Sequence, residues 1–231
     1  PISDLAINYK ENEEGSDIWR VQGAFFRLNY DYRSKYLLEV NGRYDGSSKY
    51  AKHDRWAFFP SASVGWRISE EKFFKSLSKV VDNLKIRASI GALGNQITDG
   101  NHSFMSIISG KVLTNYMMDG KIVNGLNIPT LPSMVTWEKV ITKDIGLDWS
   151  LFKNRLFGSF DFYVRDTKDM VRSVTLPAVL GTSGGKENIA DMRTVGWELE
   201  MTWKDRIQNV LGSPLDYSLT VGLSDYQAEI T

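Results

Sequence analysis

Paired carboxylates are the first residues in this sequence whose type and spacing could do chemistry. Asp144 and Asp148 fall on one parity of an alternating stretch, and Glu198 and Glu200 fall on one parity of another. Two carboxylates on one face can act as general acid and general base. The alternative is a hydrated wall that carries charges of both signs. We predict the wall, and therefore no catalytic residue.

The sequence contains no complete motif for binding phosphate or a metal ion. The stretch GTSGGK at 181–186 resembles a phosphate-binding loop, but Leu180 stands where its first glycine is needed and Glu187 where Ser or Thr must follow the lysine. His53 and His102 are the only histidines, neither has a second ligand at metal spacing, and cysteine is absent. The sequence therefore predicts no cofactor and no metal site.

Composition narrows the class of protein. The 231 residues carry no formal net charge, which argues against a nucleic-acid partner, because binding of phosphates depends on excess Lys and Arg. No run of about 18 apolar residues could form a membrane helix. Such a search does not detect transmembrane β-strands, because their side chains alternate between lipid and the barrel lumen. The seven Trp and ten Tyr of this sequence are typical of a transmembrane β-barrel.

A long hairpin at 136–168 positions the acidic residues. Apolar residues such as Leu147, Trp149 and Phe160 occupy one parity, while Asp148 and Asp161 occupy the other. This is the period of a strand, and both strands exceed the usual five or six residues. Trp149, beside the turn at 153–155, is predicted to mark one membrane interface and Trp137 the opposite one.

The same alternation predicts about eight strands in an up-and-down antiparallel order. Connections after odd-numbered strands are short or moderate, including a helical connection at 69–82 and a polar turn at 205–214. Those after even-numbered strands are longer, including irregular loops at 95–134 and 171–193. Long extracellular loops opposite short periplasmic turns are typical of an outer-membrane β-barrel, although a soluble β-sandwich also alternates.

Several motifs resemble those of one transporter family. They are YDGSS at 44–48, RWAFFPSASVGWRISEE at 55–71, LKIRASIG at 84–91 followed by GNQ at 94–96, TWEK at 136–139, DIGLD at 144–148, and GWE at 196–198. In this order, over nearly the whole chain, they resemble the SusC/RagA family of TonB-dependent outer-membrane transporters of Bacteroidetes.

The resemblance implies a larger protein than this chain. Family members are expected to carry a plug domain, a segment that contacts TonB, and a transmembrane barrel of about 22 strands. We therefore expect residues 1–231 to be part of a single barrel domain, an internal stretch from its C-terminal half, with the plug outside this chain. The alternative is a small eight-stranded barrel closed on itself, with a structural or adhesive role.

The resemblance also implies import of oligosaccharides, or of peptides in some branches, with a SusD-like surface lipoprotein as partner. Aromatic side chains beside amide and carboxylate groups suit sugars, because rings stack on sugar faces while polar groups bind the hydroxyls. The loop residues with this chemistry are the expected substrate-binding residues: Trp56, Asn95, Gln96, Asp99, Asn101, His102 and Tyr116. The alternative is that they only pack the loops together.

Overall fold

The computed structural model describes residues 18–96, 112–118, 120–126, 135–175, 177, 186–210 and 213–231. Within these ranges an eight-stranded antiparallel sheet runs in sequence order, which confirms the predicted up-and-down meander. Its strands are β1 (Val21–Tyr32), β2 (Tyr36–Ser47), β3 (Trp56–Arg67), β4 (Val81–Asn95), β7 (Glu138–Leu151), β8 (Leu156–Ser173), β9 (Lys186–Val210) and β10 (Ser213–Ile230). No helix in these ranges is long and apolar enough to cross a membrane.

The pairing register sorts the side chains into an apolar face and a polar face. One row across all eight strands is apolar: Tyr32, Tyr36, Trp66, Ile86, Leu147, Phe160, Leu199 and Leu223. The next row is mostly polar: Asp31, Leu37, Gly65, Arg87, Gly146, Asp161, Glu198 and Ser224. We call the side of the first row the outer face and the side of the second the inner face.

These rows also show that the strands are staggered. The apolar row begins at Tyr32, the last residue of β1, and ends at Leu223, ten residues after the start of β10 at Ser213. A sheet closes into a barrel only when its strands tilt and step in register in this way. Among the described residues the arc stays open, because β1 and β10 each pair on one side only.

Three predicted loops are partly wrong, because they contain regular structure. Within 95–134 lies a two-stranded hairpin, β5 (Val112–Met118) and β6 (Lys121–Leu126). Within 171–193, β8 continues to Ser173 and β9 begins at Lys186. The predicted turn at 205–214 is mostly strand, because β9 continues to Val210 and β10 begins at Ser213. In each case these residues form backbone hydrogen bonds to a neighbouring strand, although their side chains no longer alternate between apolar and polar.

The connections that follow β1, β3 and β7 are compact. Left-handed backbone at Arg33 and Ser34 closes β1 to β2, and the same conformation at 152–154 closes β7 to β8. The predicted helical connection at 69–82 consists of two 3-10 segments, Ile68–Glu70 and Lys72–Ser76, rather than an α-helix. The short-turn end of the sheet is therefore built from small, regular turns.

Candidate functional site

An arginine surrounded by carboxylates occupies the middle of the inner face. Arg87 on β4 donates through Nη2 to Asp161 at 2.7 Å and through Nε to Asp148 at 3.1 Å. Asp144 lies 3.6 Å from Nη1 of the same guanidinium, and Lys85 lies 3.4 Å from Asp148. Asp144, Asp148 and Asp161 thus share one guanidinium across β4, β7 and β8, and do not form an isolated acid pair.

Glycine at position 146 makes room for this arrangement. A Cβ at Gly146 would lie 2.6 Å from Cζ of Arg87 and 2.6 Å from Oδ1 of Asp161. The guanidinium therefore crosses β7 directly over Gly146 to reach β8, which an alanine would prevent. Among the described residues, no group of three or more acidic or histidine side chains could hold a metal ion.

A small buried core lies where the long loops leave the sheet. Tyr50, Phe59, Val135 and Trp137 pack together, with the rings of Tyr50 and Phe59 at 4.9 and 5.6 Å from that of Trp137. Phe59 is 5% exposed while its neighbour Phe58 is 53% exposed, so this core lies on the inner face. It ties the β2–β3 loop to the segment that leads into β7.

Trp137 corrects one prediction from the sequence. The alternation predicts that it marks a membrane interface on the outer face, because its parity continues that of Trp149. In the structure it is 4% exposed inside this core, and its indole N–H donates to the carbonyl of Arg55 at 3.2 Å. Residues 135–137 precede β7, so the alternation of the strand does not extend to them.

The core carries a polar edge that includes two predicted site residues. Asn95 donates to Glu138 at 3.2 Å, and Ser47 donates to Gln96 at 3.3 Å. Next to them, Tyr50 is 1% exposed and its hydroxyl has no hydrogen-bond partner among the described residues. Burial, with a smaller effect of the Glu138 carboxylate, raises the pKa of Tyr50 to about 12. The phenol therefore stays neutral beside a buried carboxylate.

Asn188 has a structural role that the sequence pattern does not indicate. Its side-chain amide accepts from the N–H of Thr136 at 2.8 Å and donates to the carbonyl of Thr136 at 3.2 Å and to that of Asp169. It thereby holds the segment before β7 against β8 and β9. Asn188 lies in a stretch with no apolar alternation, so the sequence carried no signal for this role.

The structure brings together only some of the predicted substrate-binding residues. Asn95 and Gln96 lie at the inner-face core, whereas Trp56 lies on the outer face and stacks on Tyr44 with ring centroids 5.0 Å apart. Tyr116 belongs to β5, whose side chains are not described. Asp99, Asn101, His102 and the motif at 181–186 lie outside the described residues, apart from Lys186 at the start of β9.

Comparison with known proteins gives one consistent family. The family model described as TonB dependent receptor-like, beta-barrel, matches residues 4–230. TonB-dependent receptor P26 of Formosa agariphila is 31% identical over 212 residues, which are 92% of this chain and 21% of that protein. TonB-dependent receptor SusC of Bacteroides thetaiotaomicron is 30% identical over 200 residues, 85% of this chain and 20% of that protein.

Solved structures agree with this result. The RagAB peptide importer in its open-open state superposes with a TM-score of 0.75 at 28% identity, over 92% of this chain and 22% of that one. The chain thus spans about a fifth of the length of the relatives it matches, which are named receptors and transporters. The chain belongs to the TonB-dependent receptor-like β-barrel family, whose SusC and RagA members are outer-membrane proteins.

Proposed function

We propose that this chain is part of the wall of a SusC-type TonB-dependent importer, which takes up oligosaccharides across the bacterial outer membrane. The observation that carries the proposal is the division of the sheet into two faces. The outer face presents an apolar row to lipid, and the inner face presents the paired charges around Arg87 to a hydrated passage.

Residues 1–231 are proposed to be one part of a single barrel domain. Strands outside this chain would pair with β1 and β10, because unpaired strand edges in lipid leave backbone amides unsatisfied at several kcal/mol each. A plug domain and the segment that contacts TonB would also lie outside this chain. A SusD-like surface lipoprotein is the proposed partner at the long-loop end.

Substrate contact is proposed at that same end. Asn95 and Gln96 supply amides beside the buried core, and amides bind sugar hydroxyls well. The further proposed contacts are Trp56, Asp99, Asn101, His102 and Tyr116. Trp56 has two possible roles, because its stacking on Tyr44 at the outer face suits an anchor at the membrane interface as well as a substrate contact.

A peptide cargo is the second candidate. It is favoured by the similarity to the RagAB peptide importer, at 28% identity and a TM-score of 0.75. Peptide backbones offer amides and carbonyls, which Asn and Gln side chains can also bind. The inner-face charges give no preference between the two cargoes, because charges of both signs are present.

Uptake measurements on the intact transporter test the proposal. Cells that lack it and carry either the wild type or the Asn95→Ala/Gln96→Ala double variant are supplied with labelled oligosaccharides or labelled peptides. Wild-type cells should accumulate the oligosaccharides, and the double variant should accumulate less while its amount in the outer membrane is unchanged. Accumulation of peptides alone would favour the second candidate, and uptake that does not depend on the transporter would refute both.

A parallel test distinguishes between the two roles of Trp56. If it contacts substrate, Trp56→Ala should lower uptake per assembled transporter. If it only anchors the barrel, the same variant should lower the amount assembled and leave uptake per transporter unchanged.

A further inference from the structure

The connection between β3 and β4 exposes apolar and basic side chains together. Phe73, Leu77 and Val80 are 67%, 55% and 47% exposed, whereas Phe74 between them is buried at 6%. Lys72, Lys75 and Lys79 alternate with these residues, are exposed, and form no ion pair with any described residue. We define the stretch at 72–80, KFFKSLSKV, as the basic foot.

Missing strands do not explain the exposure of the basic foot. It joins β3 and β4, and both strands are paired on both sides within the described sheet. The neighbouring turns at 33–35 and 152–155 are also present. Phe73 and Leu77 are therefore exposed although the strands and turns around them are all present.

The foot begins at the level of the interfacial aromatics. Glu71, the residue before it, accepts from the hydroxyl of Tyr36 at 2.9 Å and from the indole N–H of Trp66 at 3.4 Å. Both aromatics belong to the outer face, in the row that continues to Ile86. Tyr and Trp with a polar handle settle at the headgroup level of a bilayer, so the foot starts at that level.

Charge at this end favours an anionic partner. The three turns at 33–35, 68–80 and 152–155 hold seven basic residues and two acidic ones. Two of the basic residues are already paired, Lys35 with Glu71 at 2.9 Å and Arg155 with Asp205 of β9 at 3.3 Å, which leaves five basic residues and one acidic residue in these turns. Phe152 in the third turn is exposed beside Lys153, which repeats the pairing of an aromatic ring with a lysine.

We propose that the basic foot lies in the headgroup layer of the periplasmic leaflet and binds anionic phospholipid. Exposed apolar side chains would enter the boundary between headgroups and acyl chains, while the lysines contact lipid phosphates, as in interfacial amphipathic segments. The proposal rests on the membrane placement of the outer face. It adds a lipid preference at one defined connection.

Fluorescent labels on the intact transporter in lipid nanodiscs test this, since the chain contributes no cysteine of its own. An environment-sensitive fluorophore is placed at Phe73→Cys, with Phe58→Cys as the outer-face reference and Lys52→Cys as the exposed reference at the opposite end. The label at position 73 should be quenched by a nitroxide near the lipid headgroup and resist aqueous iodide. The label at 58 should be quenched by nitroxides on lipid chains.

Charge reversal then tests the lipid preference. In discs of mixed phosphatidylglycerol and phosphatidylcholine, nitroxide-labelled phosphatidylglycerol should quench the label at 73 more strongly than labelled phosphatidylcholine. Each lysine at an anionic surface contributes about a fivefold preference, so Lys72→Glu/Lys75→Glu/Lys79→Glu should reduce it at least about fivefold. The matched reversal Lys52→Glu should leave it unchanged.

Three results would overturn the inference. The label at 73 could be as open to iodide as the label at 52, or shielded from both iodide and lipid, which would mean that protein covers the foot. Alternatively, the triple variant could keep its preference for phosphatidylglycerol. If the label at 58 also fails to meet lipid, the membrane placement itself is wrong, which separates the two failures.

Discussion

Replacing Gly146 with alanine is the sharpest test of how the inner face is built. The new Cβ would lie 2.6 Å from Cζ of Arg87, so the guanidinium must move and leave Asp161 and Asp148. Hydrogen bonds to charged groups contribute about 1.5–3 kcal/mol each. The side chain of Arg87 is 32% exposed, and solvent screening reduces the loss of the two bonds to about 2–3 kcal/mol.

Alanine also has a favourable effect, because glycine in a strand costs about 0.5–1 kcal/mol relative to alanine. We therefore expect Gly146→Ala to lower the free energy of unfolding by about 1–2.5 kcal/mol. Gly65→Ala is the matched control on the same face, because its Cβ would meet chiefly the flexible end of Lys85 at 3.2 Å. That variant should be neutral or slightly stabilising.

The assay is unfolding of the intact protein by a chemical denaturant in detergent micelles. The folded fraction is measured by gel electrophoresis of unheated samples, in which the folded barrel migrates faster than the unfolded chain. Repeating Gly146→Ala in an Arg87→Ala background isolates the interaction. There the alanine should be neutral or stabilising by up to about 0.5–1 kcal/mol, because no guanidinium remains to be displaced and only the carboxylate of Asp161 must turn away from the new Cβ. An equal penalty in both backgrounds, or no difference from Gly65→Ala, would refute this explanation of Gly146.

Three further predictions concern the core, the turn and the outer face. Trp137→Ala should lower the free energy of unfolding by about 3–5 kcal/mol in the same assay, whereas Tyr50→Phe should be neutral or stabilising because it removes a buried hydroxyl without a partner. Hydrogen bonds from Lys35 and Tyr36 lower the pKa of Glu71 from 4.5, so its stabilising effect is present above pH 4.5 and is lost as pH falls through the lowered value. Glu71→Gln should therefore melt below wild type at pH 7, and the difference should shrink as the pH falls below 4.5. A difference that grows toward acid pH would contradict this. Phe160→Lys on the outer face should lower the free energy of unfolding by about 2–4 kcal/mol, far more than Ser159→Lys on the inner face, and the reverse order would mean that the faces are inverted.

The sequence was sufficient for the strands inside the predicted bilayer. There one face meets lipid and the other meets water, so residues such as Leu147 and Asp148 alternate with high contrast. Beyond the bilayer both faces meet water, and the pattern fades. For that reason the sequence pattern predicts irregular loops at the ends of β8 and β9 and at the hairpin at 112–126.

The candidate site was harder to predict, because its contacts join distant parts of the chain. Asn95 and Gln96 were found from their chemistry alone, but their partners Glu138 and Ser47 lie 43 and 49 residues away. The position of Trp137 depends on a segment that leaves the strand before the alternation applies. Local patterns carry no information on such contacts.

The most direct test of the two faces is a nitroxide scan along β8 in the intact protein in lipid. We predict that accessibility to oxygen peaks at Leu156, Gly158, Phe160, Phe162 and Val164, and that accessibility to a water-soluble nickel chelate peaks at the residues between them. This period of two, in that phase, is what a barrel wall between lipid and a hydrated passage requires. The opposite phase, or equal chelate accessibility at every position, would contradict the account.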